Sequence, residues 1–201
     1  MKDATQIGMT RLNAFGINLR LVTADDLPML SRWRNDANVR PYMDDGRVVT
    51  PEVMLVWLNR TIANNSTYPF IASIKGTDFG YLELKKIDRQ THGCESGMFL
   101  FGDQYIGTGL GVYLALCREI LMEKLQLHTL VSKIRKSNHR SLSGANNFDL
   151  VFSHEEGDFL VFVTGKEKRQ GRLWEIATKL HLHEEFGTLL TEAQNCEQPA
   201  C

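Results

Sequence analysis

Three strand-like segments follow one another between Pro69 and Phe101, and a glycine-rich turn then leads directly into a helix. Pro69 to Ile74, Gly80 to Ile87 and Cys94 to Phe101 read as strands. Lys75-Gly76-Thr77-Asp78 and Asp88 to Gly93 are the turn-rich separators. The stretch Gly102 to Gly111 is followed by a helix to about Leu125, with Leu114, Leu121 and Met122 inward. Few architectures accept three successive strands, a glycine turn and a helix in that order.

The flanking chain extends the pattern. Residues 1–16 read as a loose lead-in. Ile17 to Val22 alternates apolar and polar residues as a strand does. Thr23-Ala24-Asp25-Asp26 opens a helix carrying Leu27, Leu30 and Trp33 and ending near Asn38. Thr50-Pro51-Glu52 starts a second helix, faced by Val53, Trp57, Leu58 and Ile62. Thr129 to Ile134 reads as a strand and Asn138 to Asn146 as a short helix or turn. Phe148 to Ser153 and Phe159 to Thr164 flank Glu155-Glu156-Gly157 as a hairpin. The order β-α-α-β-β-β-α-β-α-β-β predicts one α/β (α+β) domain, a mixed sheet flanked by helices, over residues 1–165. Residues 166–201 read as a charged linker, Gly165 to Gly171, and an amphipathic helical tail with Trp174, Ala177, Leu180, Phe186, Leu189 and Leu190, broken at Gly187.

Composition narrows the function classes. Lys+Arg is 23 against 24 Asp+Glu, a net charge of -1, which argues against a dedicated nucleic-acid binder. No apolar run approaches the roughly 18 residues of a membrane span. Met1 to Asn18 lacks a signal-peptide core, so the chain reads as cytoplasmic, with no membrane partner. Cys94, Cys117, Cys196 and Cys201 are too scattered for a disulfide framework, and a Cys196–Cys201 pair on the tail would be incidental. His181-Leu182-His183-Glu184-Glu185 lacks metal-ligand spacing, since i and i+2 diverge on a helix, so no metal is expected. No G-x-S-x-G elbow occurs.

The chemistry concentrates in Gln104-Tyr105-Ile106-Gly107-Thr108-Gly109-Leu110-Gly111. Glycines between a strand and a helix let successive N–H groups converge, and the helix dipole adds positive potential, so the turn suits a phosphate or pyrophosphate. No Gly-Lys-Ser/Thr follows, so it is not a P-loop. Taken alone, the glycines equally describe a tight turn and a helix start.

The pattern Gln104-x-x-Gly107-x-Gly109, then helix, strand and Asn138-x-x-Ser141, resembles the GNAT superfamily of N-acetyltransferases. The resemblance covers roughly 17–165 and implies a mixed, mostly antiparallel sheet. It implies acetyl-CoA as co-substrate, with Gln104, Tyr105, Ile106, Gly107, Thr108 and Gly109 at the pyrophosphate and Asn138 and Ser141 nearby. The edge of the strand at Met98, Phe99 and Phe101 would pair with the pantetheine arm. A splay beyond that strand would leave N–H groups for the oxyanion. Trp33-Arg34-Asn35, Cys94-Glu95-x-Gly97 and Asn138-His139-Arg140-Ser141-Leu142 before the acidic hairpin are most like the acetyltransferases of nucleotide-linked amino sugars in pseudaminic acid synthesis. Ribosomal-protein N-terminal acetyltransferases share several of these features. The implied acceptor is a small-molecule or peptide primary amine.

An ammonium has no lone pair, so the reaction needs a proton acceptor. The resemblance places Glu95 there, with burial expected to raise its pKa. A strand glutamate is equally an exposed or arginine-paired side chain. The family's usual tyrosine acid falls on Ala145, in a segment slightly shorter than the family's, and Ser143 stands nearest. Trp33 is expected to pack inward, leaving Arg34 or Asn35 for substrate, with Arg40 and Tyr42 as weaker candidates. Arg135 and Lys136 are positioned for coenzyme A phosphates, and Lys166 to Arg172 reads as a solvated linker. The missing tyrosine also motivates a non-catalytic acyl-CoA sensor as the alternative. The tail's apolar face offers either a homodimer contact or a cover for the domain's own sheet.

Overall fold

The computed structural model describes residues 10–195. Its centre is one eight-stranded sheet in the order β1-β2-β3-β4-β5-β6-β8-β7. The strands are β1 (Arg11–Ala14), β2 (Ile17–Leu21), β3 (Tyr68–Ile74), β4 (Thr77–Asp88), β5 (Gly93–Leu100), β6 (Thr129–Arg135), β7 (Phe152–Glu156) and β8 (Phe159–Gly165). All neighbours run antiparallel except β5 and β6. The three expected central strands are present as β3, β4 and β5. Within the expected lead-in, Arg11–Ala14 is a strand rather than loose chain, pairing with β2 through a turn at Phe15 and Gly16, both at positive φ. The last hairpin starts later than expected, at Phe152 rather than Phe148.

The helices cover both faces. On one face lie α1 (Leu27–Asn35) and α2 (Pro51–Asn64). Leu27, Leu30, Trp33, Met54 and Leu58 pack there against Ile71 and Tyr81. Trp33 is inward as expected, stacked on Phe101 at 5.0 Å. On the other face, α3 (Leu110–Lys124) is buried without interruption from Leu114 to Glu123. A helix buried all round must lie between two layers. The second layer is α5 (Lys166–Lys179) and α6 (His183–Asn195), with Leu173, Ala177, Phe186 and Ala193 in the main core. A shorter helix, α4 (His139–Asn147), follows β6.

The charged stretch after Gly165 is therefore a helix, not a linker. Its cations answer the acids that α3 carries into the core. Arg169 Nε lies 2.9 Å from Glu119 Oε2, and Lys166 Nζ lies 2.7 Å from Glu123 Oε1. Buried charge persists only when paired and hydrogen-bonded. Arg169 also donates to the carbonyls of His128 and Thr164. The tail thus covers its own domain. The helical break falls between Lys179 and His183, while Gly187 lies inside α6, where a Cβ would meet the Trp174 ring at 3.1 Å. Cys196 and Cys201 lie outside the described residues. Among those residues no helix is long and apolar enough to cross a membrane, and no cluster of three His, Cys, Asp or Glu stands ready for a metal.

Candidate active site

The site begins where β5 and β6 part. They pair in parallel only at Gly93–Thr129, Cys94–Leu130 and Glu95–Val131. Beyond Glu95, β5 stays paired with β4 as far as Leu100, and β6 stays paired with β8 as far as Arg135. The edge of β5 from Ser96 to Leu100 therefore faces an open wedge. An unpaired strand edge is a template for an extended chain with amide groups.

The wedge ends at the glycine turn. A short helical turn, Asp103–Tyr105, is followed by Gly107 and Gly109 at φ of 76° and 85°. Only glycine holds such angles without strain. A Cβ on either would enter open space, with no heavy atom within 4 Å. Thr108 Oγ1 donates to the Tyr105 carbonyl and fixes the loop. The N–H groups of Gly107, Thr108, Gly109 and Gly111 have no acceptor among the described residues. They sit at the N-terminus of the fifteen-residue α3, where the helix dipole favours an anion.

The side chains around the turn mostly hold it in place. Gln104 curls over Gly102, where a Cβ would come within 2.7 Å of its Oε1. Tyr105 packs against Phe79 at 5.6 Å. Ile106 and Arg140 both line a cavity of about 150 Å³, together with Phe101 and Gly102. Arg140 stands in the Asn138–Leu142 segment that carries the resemblance but has no expected site role, because one exposed arginine at a helix start carries no signal. On β5, Met98 turns toward the α3 core while Phe99 stacks on Tyr81 at 5.1 Å, so their open backbone, not their side chains, lines the wedge. Asn138 caps α4, its Oδ1 accepting from the Ser141 N–H at 3.1 Å. Ser141 and Ser143 are exposed, and Ala145 is buried.

The floor of the wedge on the α1–α2 face is polar. Successive strand residues alternate faces, so Tyr81, Glu83 and Lys85 of β4 share this one. Opposite them on β5 stand Phe99, Gly97 and Glu95. Glu95 is 6% exposed, but its environment differs from the expected one. Lys85 Nζ lies 3.0 Å from Oε1 and Lys86 Nζ lies 2.7 Å from Oε2. An irregularity in β4 after Lys85, with Lys86 at φ 51°, lets two consecutive lysines reach one carboxylate. Burial pushes the Glu95 carboxyl up, but the hydrogen bonds and charge of Lys86 and Lys85 outweigh it and hold the group below its ordinary value. Glu95 is thus a pinned anion rather than a base tuned upward.

Glu83 was not singled out from sequence. The Tyr81 hydroxyl donates to its Oε2 at 2.8 Å, and Lys85 Nζ lies 3.1 Å from Oε1. Burial, and then the Glu83 charge, push the Tyr81 hydroxyl well above its ordinary value, so Tyr81 remains a donor. Burial pulls Lys85 down, but Glu83 and Glu95 more than compensate and keep it charged.

The walls use several expected binding residues structurally. Asn35 donates to the Val49 carbonyl and accepts from the Val49 N–H, at 2.7 and 2.9 Å. Arg34 contacts the Met43 sulfur. Arg135 donates to the carbonyls of Met43 and Asp44 and stacks on Phe159 at 4.6 Å. Lys136 pairs with Glu155. The basic pair expected to meet coenzyme A phosphates thus fastens the α1–α2 loop and the β7–β8 hairpin to β6.

The sequence of residues 17–148 matches a family described as an acetyltransferase (GNAT) domain. Among curated proteins, an aminoglycoside N(6')-acetyltransferase type 1 from Klebsiella pneumoniae is 28% identical over 86 residues. That match spans 39% of this chain and 43% of the relative, so less than half of the relative's length is represented. Spermidine N-acetyltransferase from Vibrio cholerae, in complex with CoA and spermine, superposes with a TM-score of 0.69 at 16% identity, over 77% of this chain and 98% of that one. Ribosomal-protein-S5-alanine acetyltransferase from Vibrio fischeri gives 0.64 at 19% identity, over 78% and 97%.

Proposed function

The chain belongs to the GNAT acetyltransferase family, and we propose that it transfers the acetyl group of acetyl-CoA to a primary amine, in one complex holding both substrates. The observation that carries this reading is the wedge between β5 and β6, ending at four N–H groups that have no acceptor among the described residues. Its two parts fit the two parts of the co-substrate. The free edge of Ser96 to Leu100 suits the amide-bearing pantetheine arm. The N–H groups of Gly107, Thr108, Gly109 and Gly111 suit a pyrophosphate, with Arg140 as an additional cation. Acetyl-CoA supplies a thioester carbonyl. Free N–H groups of the splayed β5 edge are the donors this chain offers to charge developing on the carbonyl oxygen. Holding amine and thioester together supplies much of the rate, since well-oriented reactants reach effective molarities of about 10⁵–10⁸ M.

The acceptor approaches from the polar floor, between the Met43–Asp44 loop and β6. The three named relatives act on an aminoglycoside, spermidine and a ribosomal-protein alanine. We infer a primary aliphatic amine as the shared acceptor class, with a nucleotide-linked amino sugar or a protein N-terminus as the narrower candidates. Release of coenzyme A thiol is measured with spermidine, an aminoglycoside, an amino-sugar nucleotide and an alanine-initiated peptide. Thiol release that depends on one of these amines is the expected result. Acetyl-CoA binding with no release on any amine would replace this reading with a sensor role, which Ala145 in the tyrosine position would then explain.

A further inference from the structure

We propose that Glu83, not Glu95, is the residue that receives the acceptor amine and takes its proton. The assignment rests on the acetyl-transfer reading above. Glu83 stands across from Gly97, two residues beyond the last β5–β6 pair. It therefore lies at the level where the free edge of β5 begins. Gly97 makes room for it, since a Cβ there would sit 3.0 Å from Glu83 Oε1 and 3.4 Å from its Cγ. The carboxylate lies over the bare backbone of Gly97, and Lys85 beside it reaches the Asp44 carboxylate at 3.7 Å.

The two acids of the floor are occupied differently. Glu95 has a lysine on each oxygen, one of them shared with Glu83. Glu83 has the Tyr81 hydroxyl and that shared lysine, at 14% side-chain exposure. Each carboxylate keeps about two of its four lone-pair sites, but those of Glu83 are the more accessible, at 14% against 8% side-chain exposure, and Glu83 faces one cation where Glu95 faces two. One ammonium proton passes to a Glu83 oxygen, directly or through one water. The freed lone pair forms the C–N bond to the thioester carbonyl carbon. The C–S bond breaks, and its electron pair leaves on sulfur. The second N–H proton passes through water to that sulfur, and Glu83 returns its proton to solvent.

Rates at saturating acetyl-CoA are compared for wild type, Glu83→Gln, Glu83→Asp and Glu95→Gln, from about pH 6 to about pH 10, where amines titrate. The acceptor is whichever of the four amines above wild type acetylates fastest. Glu83→Gln is expected to lower kcat about 100-fold or more, within the range of general-base losses. Its acetyl-CoA affinity by calorimetry stays unchanged. Its rate climbs with pH more steeply than wild type, because solution must now deprotonate the amine. Glu83→Asp recovers part of the rate, and Glu95→Gln loses less than about tenfold. A Glu83→Gln enzyme within about threefold of wild type with an unchanged pH profile overturns the assignment, as does a larger loss for Glu95→Gln. If Glu83→Gln is unfolded by circular dichroism, Glu83→Asp decides, and an unchanged kcat there is equally fatal. If wild type binds acetyl-CoA but acetylates none of the amines, the acetyl-transfer reading fails and takes this assignment with it.

Discussion

Arg169→Leu is expected to destabilise the protein by about 3–5 kcal/mol, the cost of leaving one partner of a buried ion pair alone. Glu119 is fully buried and Arg169 is 2% exposed. Both guanidinium edges are used, Nε and Nη2 on Glu119 and Nη1 on the His128 and Thr164 carbonyls. Removing the guanidinium leaves the buried Glu119 carboxylate without this partner and takes a donor from the His128 and Thr164 carbonyls. For a chain of this size the loss corresponds to a fall in Tm on the order of 10 °C. Urea and thermal unfolding measure it. The double replacement Glu119→Leu with Arg169→Leu recovers most of the loss, because packed apolar residues commonly replace such a pair without cost. A single variant within about 0.5 kcal/mol of wild type would mean the tail helices do not share the core's stability.

Gly107→Val is expected to abolish acetyl-CoA binding in the accessible concentration range while leaving the fold in place. Its φ of 76° costs a non-glycine residue about 1–2 kcal/mol, and more when β-branched. Apart from its own chain neighbours, no heavy atom of the described residues lies within 4 Å of the added Cβ, so no clash with them contributes. Relaxing the backbone re-aims the N–H groups of Gly107, Thr108 and Gly109. Hydrogen bonds to charged groups are worth about 1.5–3 kcal/mol each. Losing even two of them predicts an affinity lower by about 100-fold or more. Gly171→Val is a matched comparison, at an exposed position on α5 where an added Cβ also meets nothing. It is expected to bind acetyl-CoA as wild type does.

The parts of the molecule legible in the sequence are those fixed by short-range chemistry. The glycines at 107 and 109 mark a backbone conformation only they hold easily, and Pro51 behind Thr50 marks a helix start. Trp33 and Leu30 mark the buried face of α1. What is not legible locally depends on partners far apart in the chain. Lys166 to Arg172 looks like a solvated charge run until Glu119, fifty residues away, is seen facing Arg169. Phe15 closes a hairpin in the left-handed region without the usual Asn-Gly or Asp-Gly signal, so no local pattern marks β1. Glu83, between Leu82 and Leu84, has the alternation of any solvent-facing strand residue. Only the register against Gly97 marks it out. Glu95 was singled out from sequence, but the two lysines that hold it down converge through a strand irregularity that no local pattern announces.

The β5–β6 wedge and its glycine turn are expected to bind acetyl-CoA. Calorimetric titration of the full chain with acetyl-CoA, alongside free coenzyme A, tests it most directly. Micromolar binding of both is predicted, since the pyrophosphate and pantetheine contacts are common to the two. It should be lost in Gly107→Val and retained in Gly171→Val. An absence of binding heat with the folded wild-type protein, confirmed at a second temperature, would contradict the account and reduce the glycines to a tight turn before a helix.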